Sequence, residues 1–137
     1  MRIRHRGGRR RSGAAAVELA LILPIFFCVV FGHVEMARMG MVSQLLPLAA
    51  REGARVAILS GKTRADVEAA VGAMLTGTGI PPGTVSISPS NWTTAAYPSP
   101  ISVTLSVPYS QVSWLPSPAY LADKVLSATA TLNSERP

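Results

Sequence analysis

The sequence predicts an α+β protein, in which a long N-terminal hydrophobic helix precedes a short helix and a small antiparallel sheet. Three observations predict this class. An apolar run over residues 14–32 contains a single charged residue. Sequence compatible with helix continues beyond that run and resumes over residues 64–76, and three later segments alternate apolar residues with serine or threonine. The 137 residues are enough for one domain with appendages.

The positive charge is concentrated at the N-terminus. The formal net charge is +6, and six of the thirteen Lys and Arg residues lie within residues 1–13, which contain no acidic residue. The six are Arg2, Arg4, Arg6, Arg9, Arg10 and Arg11. The seven remaining basic residues balance the seven acidic ones. A nucleic-acid-binding domain keeps a basic face on its folded part, so this distribution argues against nucleic acid as a partner.

The apolar segment, residues 14–32, has about the length that a helix needs to cross a lipid bilayer. A cleavable secretory signal is the alternative, since a basic region precedes an apolar stretch that residues 19–31 could supply. The following residues, GHVEMAR, offer no A-x-A-like cleavage site. We therefore expect a single-pass protein of the cytoplasmic membrane. The N-terminal arginines would keep the N-terminus in the cytoplasm and leave the C-terminal part outside.

The one acid of this segment, Glu18, stands near its cytoplasmic end. A carboxylate there either extends to the lipid headgroups or pairs with a cationic group within the membrane. The residues before it suggest the second interpretation. If the chain were cut after Gly13, the new amine would be on Ala14, and Glu18 would be the fifth residue of the product.

Two stretches together, GAAAVELALILP from Gly13 and AAREGARVA over 49–57, resemble the TadE-like minor pilins of tight-adherence pilus systems. The resemblance covers roughly residues 13–57, under half of the chain. The major pilins of these systems usually have an aromatic residue after the glutamate. This chain has Leu19, which favours a minor component over the main subunit.

The resemblance implies a role for each residue of the leader junction. Gly13 would end a basic leader of residues 1–13 that a prepilin peptidase removes, and Ala14 would provide the new N-terminus. Glu18 would neutralise an N-terminal ammonium on its own chain or on a neighbour, because two buried charges tolerate low dielectric only when they are paired. The implied partners are the peptidase, other major and minor pilins, the pilus assembly platform and the lipid bilayer.

A helical continuation over residues 33–60 follows the membrane segment. It carries two i,i+3 ion-pair candidates, Glu35 with Arg38 and Glu52 with Arg55. Pro47 is expected to bend or break the helix, because proline removes a backbone hydrogen bond.

A stripe of small residues at helical spacing lies on the same continuation. It consists of Ala50, Gly53, Ala54 and Ala57. Such a stripe allows another helix or a sheet to approach closely, and packing within the chain is favoured over packing between subunits.

The remaining residues, 61–137, predict a small α+β extracytoplasmic head. Thr63 is an N-cap candidate with Asp66 three residues later, and an amphipathic helix follows through Val67 and Val71. The segments TVSIS, ISVTLSVPY and KVLSATATLNS predict three strands, separated by proline-rich loops.

The sequence contains no catalytic constellation. Its two histidines are His5, in the leader, and His33, at the membrane boundary, and its one cysteine, Cys28, lies in the apolar segment. We therefore predict no catalytic, cofactor or metal site. The favoured function is that of a processed minor pilin that takes part in filament assembly and in adhesion or secretion. The alternative is an unprocessed single-pass anchor whose external domain binds or scaffolds other envelope proteins, and an exported enzyme ranks third.

Overall fold

The computed structural model describes residues 9–115 and 123–135, with side chains from residue 13 onwards. Helix α1 (Arg9–Ala57) is followed by α2 (Arg64–Leu75), β1 (Thr84–Ser88), β2 (Pro100–Pro108), α3 (Tyr109–Val112) and β3 (Val125–Asn133). The predicted α+β class is confirmed, with a long apolar helix, a short helix and a three-stranded antiparallel sheet. The chain divides into two compact units, one up to Met36 and a second unit from Ala37.

Helix α1 continues through both of its internal prolines. Pro24 and Pro47 each lack the N–H that would bond to the carbonyl four residues earlier, yet the helix is continuous as far as Ala57. The expectation that Pro47 breaks the helix was therefore wrong. The two missing bonds are tolerated within 49 residues, and at Pro47 the buried neighbours Leu46 and Ala49 hold this turn in the core. The predicted bend near residue 47 stays a prediction.

Helix α2 begins with a complete capping box. The Thr63 hydroxyl accepts from the backbone N–H of Asp66, and the Asp66 carboxylate accepts in turn from the backbone N–H of Thr63 at 2.8 Å. These bonds satisfy donors that a helix N-terminus leaves without intrahelical partners. Val67, Val71 and Leu75 make the buried face of α2, as the amphipathic spacing predicted.

The three predicted strands form one antiparallel sheet in the order β1-β2-β3. Along β2, Ile101, Val103, Leu105 and Val107 are buried, and the residues between them are partly exposed. The outer face is lined with hydroxyl groups, two of which form cross-strand pairs with β3, Ser102–Thr131 at 2.7 Å and Thr104–Thr129 at 2.8 Å. This alternation is typical of an antiparallel sheet with one buried face.

The buried face of the sheet packs with α1 and α2 into the hydrophobic core of the second unit. The last four turns of α1 contribute Val42, Leu46, Ala49, Ala50, Ala54 and Ala57 to it. The loop before β1 also approaches the sheet closely. Gly83 has a φ of 61°, and a Cβ built there would lie 2.5 Å from the Ser106 carbonyl oxygen, so only glycine fits this turn.

Candidate assembly site

The predicted leader junction and the acid of the apolar segment lie on the first part of α1. Gly13, Ala14 and Glu18 are all helical and exposed. In an α-helix, residues four apart share a face, so Ala14 and Glu18 lie one above the other. Glu18 forms no hydrogen bond or ion pair with another described residue, and the space around the Gly13 Cα is open. The part of the predicted leader before residue 9 lies outside the described residues.

The surface around Glu18 is apolar and unburied. The exposed large side chains include Val17, Leu19, Leu21, Ile22, Ile25, Phe26 and Phe27, several of them more than half exposed. Of the described helices, α1 is the one long and apolar enough to cross a membrane. His33 fits the same segment as a helix residue, because its Nδ1 lies 2.8 Å from the Val29 carbonyl oxygen one turn earlier. An apolar surface of this extent needs lipid or other apolar helices around it.

The small-residue stripe lies against α2 and the central strand of the second unit. Ala50, Ala54 and Ala57 are fully buried. A Cβ added at Gly53 would come within 2.8 Å of Val71 Cγ2 and 3.3 Å of Val103 Cγ1. The absence of a side chain at Gly53 is therefore what lets α1 approach both neighbours.

Arg38 has a role that its sequence context did not suggest. Expected as a surface partner of Glu35, it is only 3% exposed. Its guanidinium donates to the carbonyls of Thr78 at 2.8 Å, Gly79 at 2.7 Å and Val112 at 3.1 Å. The Trp114 ring covers it, with 5.0 Å between the ring centroid and the Arg38 Cζ. No local pattern signals these contacts, because all four partners lie at least 40 residues further along the chain.

The other predicted helix-surface ion pair is present. Arg55 contacts Glu52 through two hydrogen bonds, at 2.6 and 3.0 Å. Both side chains line a groove of about 620 Å³ beside β3, together with Leu48, Arg51, Met74 and residues 129–132. Among the described residues, no group of three or more His, Cys, Asp or Glu side chains is placed to hold a metal ion.

Comparison with known protein families finds a similarity in the N-terminal part. The family model described as TadE-like protein matches residues 13–55. This segment is similar to the TadE-like family. The match begins at Gly13 and therefore contains both Glu18 and the residues predicted to form the leader junction. It ends at Arg55, so it also contains Gly53 and most of the small-residue stripe. No curated protein and no solved structure matches the chain.

Residues 13–55 are thus similar to TadE-like proteins, and the long apolar helix that contains them fits a single-pass membrane anchor. The family is structural and not known as a family of enzymes. The match covers about a third of the chain and leaves the sheet outside it.

Proposed function

We propose that this chain is a minor pilin of a tight-adherence type IV pilus, made as a membrane precursor and processed after Gly13. One observation carries the proposal. The family match starts at Gly13, five residues before the only charged residue of residues 14–32, the exposed apolar part of α1 that is long enough to span a membrane. A glutamate at this position is useful if an ammonium forms nearby, and cleavage after Gly13 would form one on Ala14.

The charge distribution supports the same proposal. Removal of residues 1–13 takes away six arginines and leaves a product with equal numbers of basic and acidic side chains. Until that cut, the arginines would hold the N-terminus in the cytoplasm, with the second unit outside. Afterwards the helix would be free to leave the bilayer for a filament, because it no longer carries a cluster of cations on the cytoplasmic side.

The exposed face of the apolar helix supports assembly with other pilus components. In a bilayer its side chains contact lipid, and in a filament the same side chains would contact the helices of neighbouring subunits. Glu18 and the Ala14 ammonium would then pair within or between chains, which fixes the axial position of one helix against the next. The implied partners are a prepilin peptidase, the other pilins and the assembly platform.

The N-terminus of the protein in native membranes tests the proposal. We expect N-terminal sequencing to give Ala-Ala-Ala-Val-Glu, and Gly13→Leu to abolish this product while the precursor stays in the membrane fraction. Gly32→Leu is the matched control, since it places the same side chain on the same helix in equally open space. A chain that begins at Met1 in the wild type would refute processing and favour the unprocessed anchor.

A further inference from the structure

Strand β3 is an open edge of the sheet. Among the described strands it pairs with β2 alone, over all nine residues and without a bulge. Its sequence, VLSATATLN, contains no proline and no charged residue. Sheet proteins usually protect such an edge with prolines, charges, bulges or short strands. The opposite edge, β1, is only five residues long and lies between Pro82 and Pro89. Within the described residues, no second strand covers the edge at β3.

The residues of β3 are self-complementary. From Leu126 to Leu132 the sequence is LSATATL, which reads almost the same in reverse. If two copies of β3 pair antiparallel over their full length, Thr129 lies opposite Thr129 of the second copy. Alanine then faces alanine, leucine faces leucine, and Ser127 faces Thr131. Side chains directly opposite each other are the unit that stabilises a sheet, and the pairs between Leu126 and Leu132 match in polarity, whereas Val125 lies opposite Asn133 at each end.

The hydroxyl pairs extend an arrangement that already exists within the chain. Ser102 with Thr131, and Thr104 with Thr129, are hydroxyl pairs across β2 and β3 on the outer face. A second copy would place Ser127 and Thr131 hydroxyls opposite each other on that same face. The outer face would therefore continue across the junction as a surface of the same chemistry.

The β3–β3 contact also places apolar side chains at the groove beside β3. Its lining includes Leu48, Met74 and Leu132, which are 46%, 41% and 39% exposed. The full-length register puts Leu126 of the second copy opposite Leu132, at this groove. The groove lining also contains both positive and negative side chains, Arg51, Arg55 and Glu52. Two such grooves, brought together by a two-fold axis, therefore do not present only like charges to each other.

We propose that two copies of this chain form a symmetric dimer through antiparallel pairing of β3 with β3, which makes one continuous six-stranded sheet. An interface of this kind is isologous, because the same surface patch is used by both subunits. The dimer goes beyond the pilin function and does not depend on processing after Gly13, since its contacts lie wholly within the second unit.

Cysteine cross-linking of the full chain in detergent tests the register. In a Cys28→Ser background, Thr129→Cys should form a disulfide-linked dimer, because opposite Cα atoms in such a pair are about 4.5–5.5 Å apart. Ser127→Cys and Thr131→Cys should each fail to cross-link alone, since like residues then lie about 13 Å apart. A mixture of the two variants should cross-link. Ser86→Cys, on the other edge strand and in the same row of the sheet, is the negative control.

Sedimentation of the uncross-linked chain gives an independent measurement. We expect the wild type to sediment as a dimer, Thr129→Lys as a monomer, and Ser86→Lys as a dimer. A wild type that is monomeric throughout the accessible concentration range would refute the proposal. A dimer that survives Thr129→Lys and lacks the Thr129→Cys cross-link would also refute it, because the contact would then lie elsewhere, for example on the apolar helix.

Discussion

Arg38 donates from Nη2 to the carbonyl oxygen of Gly79 at 2.7 Å and so joins α1 to the turn that follows α2. The same guanidinium donates to the carbonyls of Thr78, in the same turn, and of Val112, the last residue of α3. Hydrogen bonds from a charged donor are stronger than those between neutral groups. One side chain thus holds together three parts of the second unit that are distant in sequence.

Replacing Arg38 should therefore destabilise the second unit. Arg38→Met leaves three carbonyls without their donor, and we expect a loss of about 3 kcal/mol in the free energy of unfolding, since each buried group left unsatisfied costs about 1–3 kcal/mol. Arg38→Lys should lower the free energy of unfolding by less, because the lysine ammonium can still donate to some of the three carbonyls. The measurement is urea unfolding in detergent, followed by the fluorescence of buried Trp92 in a Trp114→Phe background.

Arg51→Met is the control for this prediction. Arg51 lies on the same helix, is exposed, and forms no hydrogen bond or ion pair with another described residue. Its replacement should change the free energy of unfolding by no more than about 0.5 kcal/mol. Equal effects at the two positions would mean that the carbonyl contacts of Arg38 contribute nothing measurable.

The packing of α1 at Gly53 predicts that substitution by alanine has opposite effects on stability at two helical glycines, Gly53 and Gly72. Gly53→Ala should destabilise the second unit by about 1–3 kcal/mol, because the new methyl group lies 2.8 Å from a stiff valine side chain in the core. Gly72→Ala, on α2, meets nothing within 4 Å and should stabilise the helix by about 0.5–1 kcal/mol. Unfolding midpoints of the two variants, compared with the wild type, check the sign of each change. A stabilising Gly53→Ala would show that Val71 moves aside at little cost.

Local patterns in the sequence predicted most of the fold, since each element depends on residues close together in the chain. The period-two alternation of β2 fixed both its position and its buried face, and the Thr63–Asp66 spacing gave the start of α2. Such local patterns did not predict two features of the structure. Pro47 argues for a bend or an end of the helix, yet the helix continues there, where the neighbouring Leu46 and Ala49 are buried in the core. Arg38 has a polar helix-surface context, and no side-chain pattern reveals its contacts with three backbone carbonyls that are distant in sequence.

The capping box of α2 predicts a specific pH dependence. Hydrogen bonds from the Thr63 backbone N–H and hydroxyl lower the pKa of Asp66. Because the folded pKa is below the unfolded one, the stabilisation is complete above the ordinary aspartate pKa and is lost as pH falls through the lowered folded value. Asp66→Asn should therefore be less stable than the wild type at neutral pH, and the difference should shrink in acid. Urea midpoints measured across that pH range are the readout.

Substitutions at Thr63 separate the cap from the general effects of acid. Thr63→Ala removes the hydroxyl that caps the helix and should cost about 1 kcal/mol at neutral pH. Thr63→Ser retains the hydroxyl and should remain close to the wild type in both stability and pH profile. If Asp66→Asn kept the full wild-type acid dependence, that dependence would have to come from other carboxylates.

The arginine-rich N-terminus predicts the topology. A phosphatase fused to the C-terminus, active only outside the cytoplasm, should be active in the wild type. Replacement of the six arginines by glutamine should lower this activity, since the signal that retains the N-terminus is lost. Replacement of Arg51, Arg55 and Arg64 by glutamine is the control, because these residues lie after the apolar segment and their loss does not weaken that signal. Phosphatase activity found only in the variant that lacks the six N-terminal arginines would contradict the proposed orientation.

The position of Glu18 predicts that it acts in assembly and not in folding. Its carboxylate is exposed on an apolar helix, and the second unit has its own core with no residue before Val42 among its buried apolar side chains. Glu18→Ala should therefore leave membrane insertion intact, or slightly improved, because a charge is costly in the hydrocarbon region. The second unit should keep its fold, shown by an unchanged urea midpoint. Recruitment to the pilus should fail, since the Ala14 ammonium of this chain or a neighbour would lack its counter-charge.

Co-purification with other pilus components and counts of surface fibres, at matched expression, measure that recruitment. Glu18→Asp should restore it only in part, because the shorter side chain keeps the charge but changes the pairing geometry. Glu68→Ala is the control, since it removes a carboxylate from the exposed surface of α2, where its ion pair with Arg64 contributes little. Wild-type recruitment of Glu18→Ala would mean that Glu18 merely extends to the lipid headgroups. A shifted urea midpoint would instead mean that it contributes to folding.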